Sequence, residues 1–130
     1  MLLVSDKSVL AIRSLVSLVR CGGGQGPVAI AEVARTGEHV QTQIEQLFSQ
    51  LKRGRILRSQ RGVGGGYLLE KAPDQITLLE IVELIDGPIG EGSDPILSAP
   101  RDALRNSLAR RTLDEIVRED EAAGAPMYYI

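Results

Sequence analysis

The apolar positions between residues 41 and 53 repeat with the period of an α-helix. They occur at i, i+3, i+4 and i+7, which places them in one stripe that a core can cover. The stripe consists of Ile44, Leu47, Phe48 and Leu51. Most of the other positions carry polar side chains, several of them amides, and amides can pair with adenine edges in the major groove of DNA. The pattern therefore predicts a helix with one buried face and one face suited to reading DNA.

The segment after this helix is predicted to form a β-hairpin, or wing. Gly54 is expected to end the helix at the C′ position, and residues 56–60 and 67–69 are predicted as strands. The turn between them holds Gly62, Gly64, Gly65 and Gly66, which we expect to adopt unusual φ values. A phosphate-binding glycine loop is the alternative, but such a loop opens a helix. This one leads into a strand that stops at Pro73, so we reject that alternative.

Two further helices are predicted before this unit. Asp6 can cap a first helix that runs to about Arg20, and the glycine-rich segment 21–26 is a flexible link. A short second helix covers about residues 30–35, and residues 37–40 form the turn into the DNA-reading helix. Two short helices joined by such a turn form a helix-turn-helix, with the second one as the recognition helix.

Capping signals organise the rest of the chain. The sequence TLLE at residues 77–80 is a capping box, so a helix is predicted over residues 78–86. Residues 89–100 are predicted as a loop and residues 101–111 as a helix. A second capping box, TLDE at residues 112–115, opens a short last helix.

These elements predict a mostly α fold with a small β-wing. Residues 1–76 would form a winged helix-turn-helix head, and residues 77–130 a helix, a loop, a dimerisation helix and a C-terminal tail. The helix over 101–111 has only a thin apolar seam, which favours pairing with a second copy through Leu104 and Leu108. Such a two-fold dimer would match a palindromic operator.

The C-terminal tail ends on Met127, Tyr128, Tyr129 and Ile130. We expect these apolar side chains to pack on the body of the protein or across the dimer. A frayed terminus is the alternative, because the last residues of domains are often loose.

The charge is distributed unevenly along the chain. Residues 1–71 hold ten Lys/Arg and five Asp/Glu, a net charge of +5, and residues 72–130 have a net charge of −7. The arginines around the predicted hairpin are Arg53, Arg55, Arg58 and Arg61. This asymmetry favours a nucleic-acid-binding head with a separate assembly or sensing half. Chance segregation of surface charge is the alternative.

The scarcity of cysteine and histidine limits the chemistry. Cys21 and His39 are the only residues of their types, so catalytic constellations and metal sites are not expected. One cysteine cannot form an intramolecular disulfide and suits a reducing cytoplasm. Cys21 follows Arg20 and is a candidate redox modulator, although an inert, half-buried cysteine is the alternative. No apolar run is long enough to span a membrane, and no signal peptide is expected.

The motifs in residues 44–88 resemble the central signature of the Rrf2 family of bacterial transcription regulators. The sequence IEQLFSQLKRGRILRSQRGVGGGYLLEKAPDQITLLEIVELIDGP contains the specific pattern EQL…RG-GGGY, and the match extends without a gap back to about Val33. The resemblance implies a winged helix-turn-helix head and a C-terminal helix that crosses to the partner subunit. It also implies that Glu45 and Thr42 contact DNA from the recognition helix. Arg61 would insert into a minor groove, and Lys7 would lie near the DNA backbone. With the amides and hairpin residues, the candidate DNA contacts are Lys7, Gln41, Thr42, Gln43, Glu45, Gln46, Arg53, Arg55, Arg58, Arg61, Gly64 and Gly65.

The chain departs from the family pattern in ways that affect its expected function. Val40 replaces the serine that usually starts the recognition helix, Gln43 replaces an aromatic residue, and Val9 and Leu10 replace an Arg-Tyr pair. Base preference is therefore expected to differ. Cluster-binding members carry three cysteines in the loop that corresponds to residues 89–112, which contain none here. The resemblance thus implies a cluster-free branch of the CymR type, with no cofactor and no metal.

The predicted function is that of a cytoplasmic transcriptional repressor that binds double-stranded DNA as a homodimer. A metabolic enzyme, a small-molecule effector or thiol oxidation would supply its signal. The alternative is a winged-helix interaction module that has lost operator binding, which salt-dependent DNA binding would distinguish. An enzyme is not expected.

Overall fold

The computed structural model describes residues 4–124, and that part of the chain is mostly helical with one two-stranded sheet. This confirms the predicted fold class. In the order of the chain, the elements are α1 (Asp6–Arg20), α2 (Ile30–Gly37), α3 (Gln41–Arg53), β1 (Leu57–Gln60), β2 (Gly66–Leu69), α4 (Leu78–Asp86), α5 (Ser98–Arg110) and α6 (Leu113–Gly124). No helix in the described range is long and apolar enough to cross a membrane. The predicted packing of residues 127–130 lies outside the described residues.

The core forms where the apolar faces of α1 and α3 meet. Leu15 and Leu18 of α1 and Phe48 of α3 are completely buried. Each buried side chain of this size stabilises the fold by roughly 1.5–3 kcal/mol relative to leaving it exposed. The Phe48 ring also meets Tyr67 of β2 edge to face, with 5.2 Å between ring centroids. The recognition helix is therefore held both by α1 and by the wing.

The last helix returns to the head of the molecule. Leu113 and Val117 of α6 are buried in the same core as α1 and α3. The backbone N–H of Leu113 donates to the Ile76 carbonyl at 2.8 Å, and that of Leu78 donates to the Arg111 carbonyl at 2.9 Å. These bonds join the start of α6 to the start of α4. α6 is also longer than the short helix that the sequence predicts, and the domain boundary after residue 76 stays a prediction.

The capping of α1 differs from the prediction. Ser5, not Asp6, is the N-cap residue, and its hydroxyl accepts a hydrogen bond from the Ser8 N–H at 3.2 Å. Asp6 is instead the first residue of the helix. Its negative charge remains favourable there, because the N-terminal end of a helix carries a partial positive charge.

The end of α3 also differs from the prediction. Gly54 has φ −82°, and Arg55 takes the left-handed conformation with φ 62°. The N–H of Ile56 bonds to the Leu51 carbonyl at 3.0 Å, which closes a Schellman motif one residue later than expected. A Cβ at position 54 would lie 2.6 Å from Cδ1 of Leu84 on α4, so a larger residue there would require the Leu84 side chain to shift.

The wing is an antiparallel hairpin that is tied to the chain before α2. Leu57 pairs with Leu69 at one end, and Gln60 pairs with Gly66 at the other. Val28 extends this sheet, since it exchanges two backbone hydrogen bonds of 2.8 and 2.9 Å with the Tyr67 backbone. The wing is therefore attached to the helix-turn-helix.

The glycines of the wing turn fulfil the predicted φ values with one exception. Positive φ occurs at Gly62, Gly64 and Gly66, but not at Gly65. Gly65 is required by a close approach instead, because a Cβ there would overlap the Gln60 carbonyl oxygen.

The capping box that starts α4 is confirmed. Thr77 Oγ1 accepts from the Glu80 N–H at 3.2 Å, and the Glu80 carboxylate accepts from the Thr77 N–H at 3.1 Å. The predicted loop after α4 is shorter than expected, because α5 begins at Ser98. Pro100 falls within the first turn of α5, where a missing backbone N–H costs no intrahelical hydrogen bond.

Candidate nucleic-acid interface

The solvent face of α3 carries the polar side chains that the sequence selects for DNA contact. Gln41, Thr42, Gln43, Glu45 and Gln46 are all exposed. No side chain caps the start of this helix, because Val40 occupies the N-cap position. The first backbone N–H groups of a helix are anion donors when no side chain satisfies them. The start of α3 can therefore contact a phosphate through its backbone.

Glu45 is held in place by a side-chain hydrogen bond. The Gln41 amide nitrogen donates to Glu45 Oε1 at 3.0 Å, from one turn earlier on α3. Ser49, one turn later, donates its hydroxyl to the Glu45 backbone carbonyl at 3.0 Å. A carboxylate has about four acceptor positions, so Glu45 can still accept from a base donor.

The arginines of the wing and the helix end are free of internal partners within residues 4–124. The side chains concerned belong to Arg53, Arg55, Arg58 and Arg61, and all four residues are exposed. None of them forms an ion pair with another residue of the described range. Unpaired cations on an exposed hairpin are available to phosphates, which supply most of the affinity of nonspecific DNA binding.

Folding brings the start of α1 beside the recognition helix. Lys7 and Arg53, far apart in sequence, line one groove of about 660 Å³ between α1 and α3. Gln43, Gln46 and Gln50 line it as well. Gln50 lies on the polar face that the sequence indicates for this helix but is not among the candidate DNA contacts, although it has helical spacing from Gln43 and Gln46.

The start of α1, where Lys7 lies, is held against α4 by hydrogen bonds. The Ser5 N–H donates to Asp86 Oδ2 at 2.9 Å, and the Ser5 hydroxyl donates to the other carboxylate oxygen. Burial acts to raise the pKa of Asp86, but the hydrogen bonds from Ser5, aided by the charge of Lys7, lower it overall. The ionised Asp86 therefore stabilises the start of α1.

This contact predicts an acid-dependent loss of stability. Because the folded pKa of Asp86 is lowered, its stabilisation is present above the unfolded pKa, at about pH 4, and is lost as the pH falls through the folded value. Urea unfolding should show Asp86→Asn less stable than wild type at pH 7 and closer to it at pH 3. The control is Asp74→Asn, which alters an exposed carboxylate. If the free energies of unfolding of Asp86→Asn and wild type differed by the same amount at both pH values, the prediction would be contradicted.

The proposed dimerisation residues lie on a helix that has no fully buried residue. Leu104 and Leu108 of α5 are both half-exposed. Leu108 packs partly against the protein's own core, whereas Leu104 is not among the residues that do so. Ile96 and Leu97, just before α5, are also exposed. An apolar surface thus surrounds the start of α5, and dimerisation through it stays a prediction.

Cys21 and His39 lie in the head, each bonded to a neighbouring hydroxyl group. Cys21 caps the end of α1, is half-buried and contacts Thr36 Oγ1 through its sulfur at 3.3 Å. His39 Nε2 lies 3.0 Å from Ser17 Oγ. Burial lowers the pKa of His39, and the positive charge of Arg13 lowers it further. A redox role for Cys21 stays a prediction.

The sequence profile of the Rrf2 family, described as an iron-dependent transcriptional regulator, matches residues 4–95. Iron–sulfur clusters are held by cysteine thiolates, with histidine as an occasional substitute. This chain offers one cysteine and one histidine, and both side chains are engaged with the neighbouring hydroxyl groups of Thr36 and Ser17. The residues present therefore do not fit a cluster.

Comparison with characterised proteins supports the same family. The chain is 30% identical to the HTH-type transcriptional regulator CymR of Bacillus subtilis (strain 168), over 98% of this chain and 99% of that protein. Its fold matches the structure of CymR, the global cysteine regulator of B. subtilis, with a TM-score of 0.78, 29% identity and coverage of 92% of this chain and 98% of that one. The structure of IscR from T. potens has a TM-score of 0.79 at 24% identity, covering 93% of this chain and 90% of that one, which shows a shared fold. These relatives are transcriptional regulators rather than enzymes, as the sequence leads us to expect. The chain belongs to the Rrf2 family of winged-helix transcriptional regulators.

Proposed function

We propose that this protein is a cytoplasmic repressor that binds a palindromic operator in double-stranded DNA as a homodimer. The observation that carries the proposal is the surface formed by α3 and the wing, which presents an exposed amide-rich helix face and four exposed arginines that form no ion pair within residues 4–124. Its relatives are named as HTH-type transcriptional regulators, which supports the same function for this chain. A half-exposed α5 supports the dimer, because a two-fold pair would cover its apolar side chains.

Different residues of this surface would contact different parts of the DNA. Arg61, at the exposed tip of the wing, would enter a narrow minor groove, where the potential is most negative. Lys7 and Arg53 would contact phosphates on either side of their shared groove. Glu45, oriented by Gln41, would accept a hydrogen bond from a base donor such as cytosine N4.

The difference between base reading and phosphate binding gives the test. Glu45→Ala should lose roughly 1–3 kcal/mol on an operator selected from a random duplex pool and should relax its specificity. Arg61→Ala should weaken binding to operator and random duplex alike, because its contact is made mainly to the shape and potential of the DNA. Fluorescence anisotropy at several salt concentrations measures both.

The matched control is Glu91→Ala, which removes an exposed glutamate from the loop before α5. It should bind the operator like wild type. Equal losses on operator and random duplex for Glu45→Ala would contradict the base-reading role. A wild-type protein with no salt-dependent affinity for any duplex would instead favour an interaction module that has lost operator binding.

We also propose that the regulator works without an iron–sulfur cluster, as members of the CymR-like branch are expected to do. The basis is its donor set, which provides one thiolate per chain. Its signal would then come from a partner such as a metabolic enzyme, from a small molecule or from oxidation of Cys21.

A further inference from the structure

A second groove, on the other side of α1 from the DNA-facing groove, has the features of a ligand site. This regulatory cleft has a volume of about 540 Å³ and lies between α1, the turn from α2 to α3, and α6. Small-molecule sites typically measure about 300–1,000 Å³ and combine apolar walls with a few polar groups. None of the proposed DNA contacts lines the regulatory cleft.

The polar end of the cleft consists of a buried serine and a half-buried histidine that are hydrogen-bonded to each other. Ser17 is only 7% exposed, and its hydroxyl donates to the Arg13 carbonyl at 3.2 Å. With that proton engaged, Ser17 Oγ accepts from His39 Nε2–H at 3.0 Å, which leaves Nδ1 of the ring as an acceptor. Gly37 permits this arrangement, because a Cβ at that position would overlap both the His39 ring and Ser17 Oγ. The polar end is therefore held in one geometry.

The charges that line the cleft leave one cation without a partner. Arg20 is paired with Asp120 of α6 at 2.7 Å. Arg13 forms no ion pair with any residue of the range 4–124. Burial lowers the pKa of His39, and the positive charge of Arg13 lowers it further, so both favour the neutral imidazole. The cleft thus has an excess positive charge that an anion could neutralise.

The rest of the cleft's lining includes aliphatic side chains from both α1 and α6. They include Val9 and Ile12 of α1 and Ile116 of α6, and Val9 remains 41% exposed. A ligand that buries these side chains gains roughly 25 cal/mol for each Å² of apolar surface removed from water. A matching ligand therefore carries a negative group at one end and a short aliphatic body at the other.

We propose that the regulatory cleft is the effector site of this regulator and that it takes a small aliphatic carboxylate. The carboxylate would bind the Arg13 guanidinium, and the aliphatic body would lie between α1 and α6. This inference rests on the proposed function as a DNA-binding regulator. The site also joins α6 to the turn that contains His39 and leads directly into α3. A ligand that prefers one arrangement of this turn would therefore change the affinity for DNA, and DNA would change the affinity for the ligand by the same factor.

The single histidine makes a direct test possible. Because His39 is the only histidine in the chain, its imidazole NMR signals report on this cleft alone. The probe is hexanoate, compared with hexan-1-ol and with sodium chloride at equal ionic strength. Hexanoate should give a saturable signal change and raise the pKa of His39, because a carboxylate offsets the charge of Arg13 and favours the imidazolium. The ion pair between Arg20 and Asp120 should have the same effect on the pKa of His39 with and without ligand. Hexan-1-ol should leave the pKa of His39 unchanged.

Two arginine variants separate binding at the cleft from general charge effects. Arg13→Gln should weaken hexanoate binding about tenfold, since it removes a charged hydrogen-bond donor. Arg35→Gln removes an exposed cation of α2 that does not line the cleft, and it should bind hexanoate like wild type. Circular dichroism on both variants confirms that they are folded.

Several results would overturn the inference. Hexanoate at millimolar concentration could leave the His39 signals unchanged, or hexan-1-ol could reproduce its effect. The signals could instead move with protein concentration alone, which would show that a second copy occupies the cleft. Saturation with hexanoate that leaves DNA affinity unchanged would overturn the regulatory role. Wild-type DNA binding without a hexanoate response would overturn this inference alone, whereas a hexanoate response without DNA binding would overturn the proposed function.

Discussion

Gly66→Ala is expected to destabilise the protein by about 2–4 kcal/mol, because it combines backbone strain with a collision between main-chain segments. Gly66 starts β2 with φ +153°. A Cβ at this position would overlap the carbonyl oxygen of Val28 and would lie 2.8 Å from the backbone nitrogen of Ala29. Backbone cannot rotate away as a side chain can. Relief would require the exchange of hydrogen bonds between Val28 and Tyr67 to break, which would detach the wing from the segment before α2.

Urea unfolding followed by circular dichroism measures this effect, and two glycines provide matched controls. Gly62 has φ +95° but open space around its missing Cβ, so Gly62→Ala should cost only the backbone strain, about 1–2 kcal/mol. Gly24→Ala should be nearly neutral, because Gly24 lacks a positive φ and its Cβ would have only an ordinary contact with Pro73 at 3.9 Å. If Gly66→Ala lowered the free energy of unfolding no more than Gly62→Ala does, the close approach of Val28 would not explain the glycine at position 66.

Leu104→Glu is expected to give a monomeric protein whose operator affinity falls about a hundredfold or more, because each half-site then binds without the gain from linkage. Leu104 is half-exposed on α5, a helix that buries none of its residues completely. A charged side chain there would be desolvated in a dimer without a partner. Leu108→Glu is a less clean test, because Leu108 packs partly on the core and its replacement should also lower stability. The double variant should show both effects.

Sedimentation velocity and operator binding together test the dimer. The matched control is Asn106→Glu, which adds the same charge at an exposed position on another face of α5. It should remain dimeric and should bind the operator like wild type. A monomeric wild type, or a Leu104→Glu variant that sediments as a dimer, would contradict assembly through α5.

Local patterns in the sequence determined most of the secondary structure. The position of α3 and the start of α4 follow from apolar periodicity and from the capping box at Thr77, since both depend on residues within a few positions of one another. The wing is also predictable, because its glycines concentrate between two short strand-like segments. The exposed residues of α3 that we propose as DNA contacts could be selected for the same reason, since the face opposite a buried stripe must be exposed.

Tertiary structure alone decided the features that depend on distant partners. Gly54 lies against the side chain of Leu84 of α4, and Ser5 caps α1 while its backbone and hydroxyl bind Asp86. The regulatory cleft likewise exists only because α6 returns to pack on α1 and brings Ile116 opposite the α1 wall. Periodicity and capping signals reflect interactions between neighbours in the chain. The close approach of two backbones, or of a charge to a cleft, depends on how complete elements pack, and no local pattern encodes that distance.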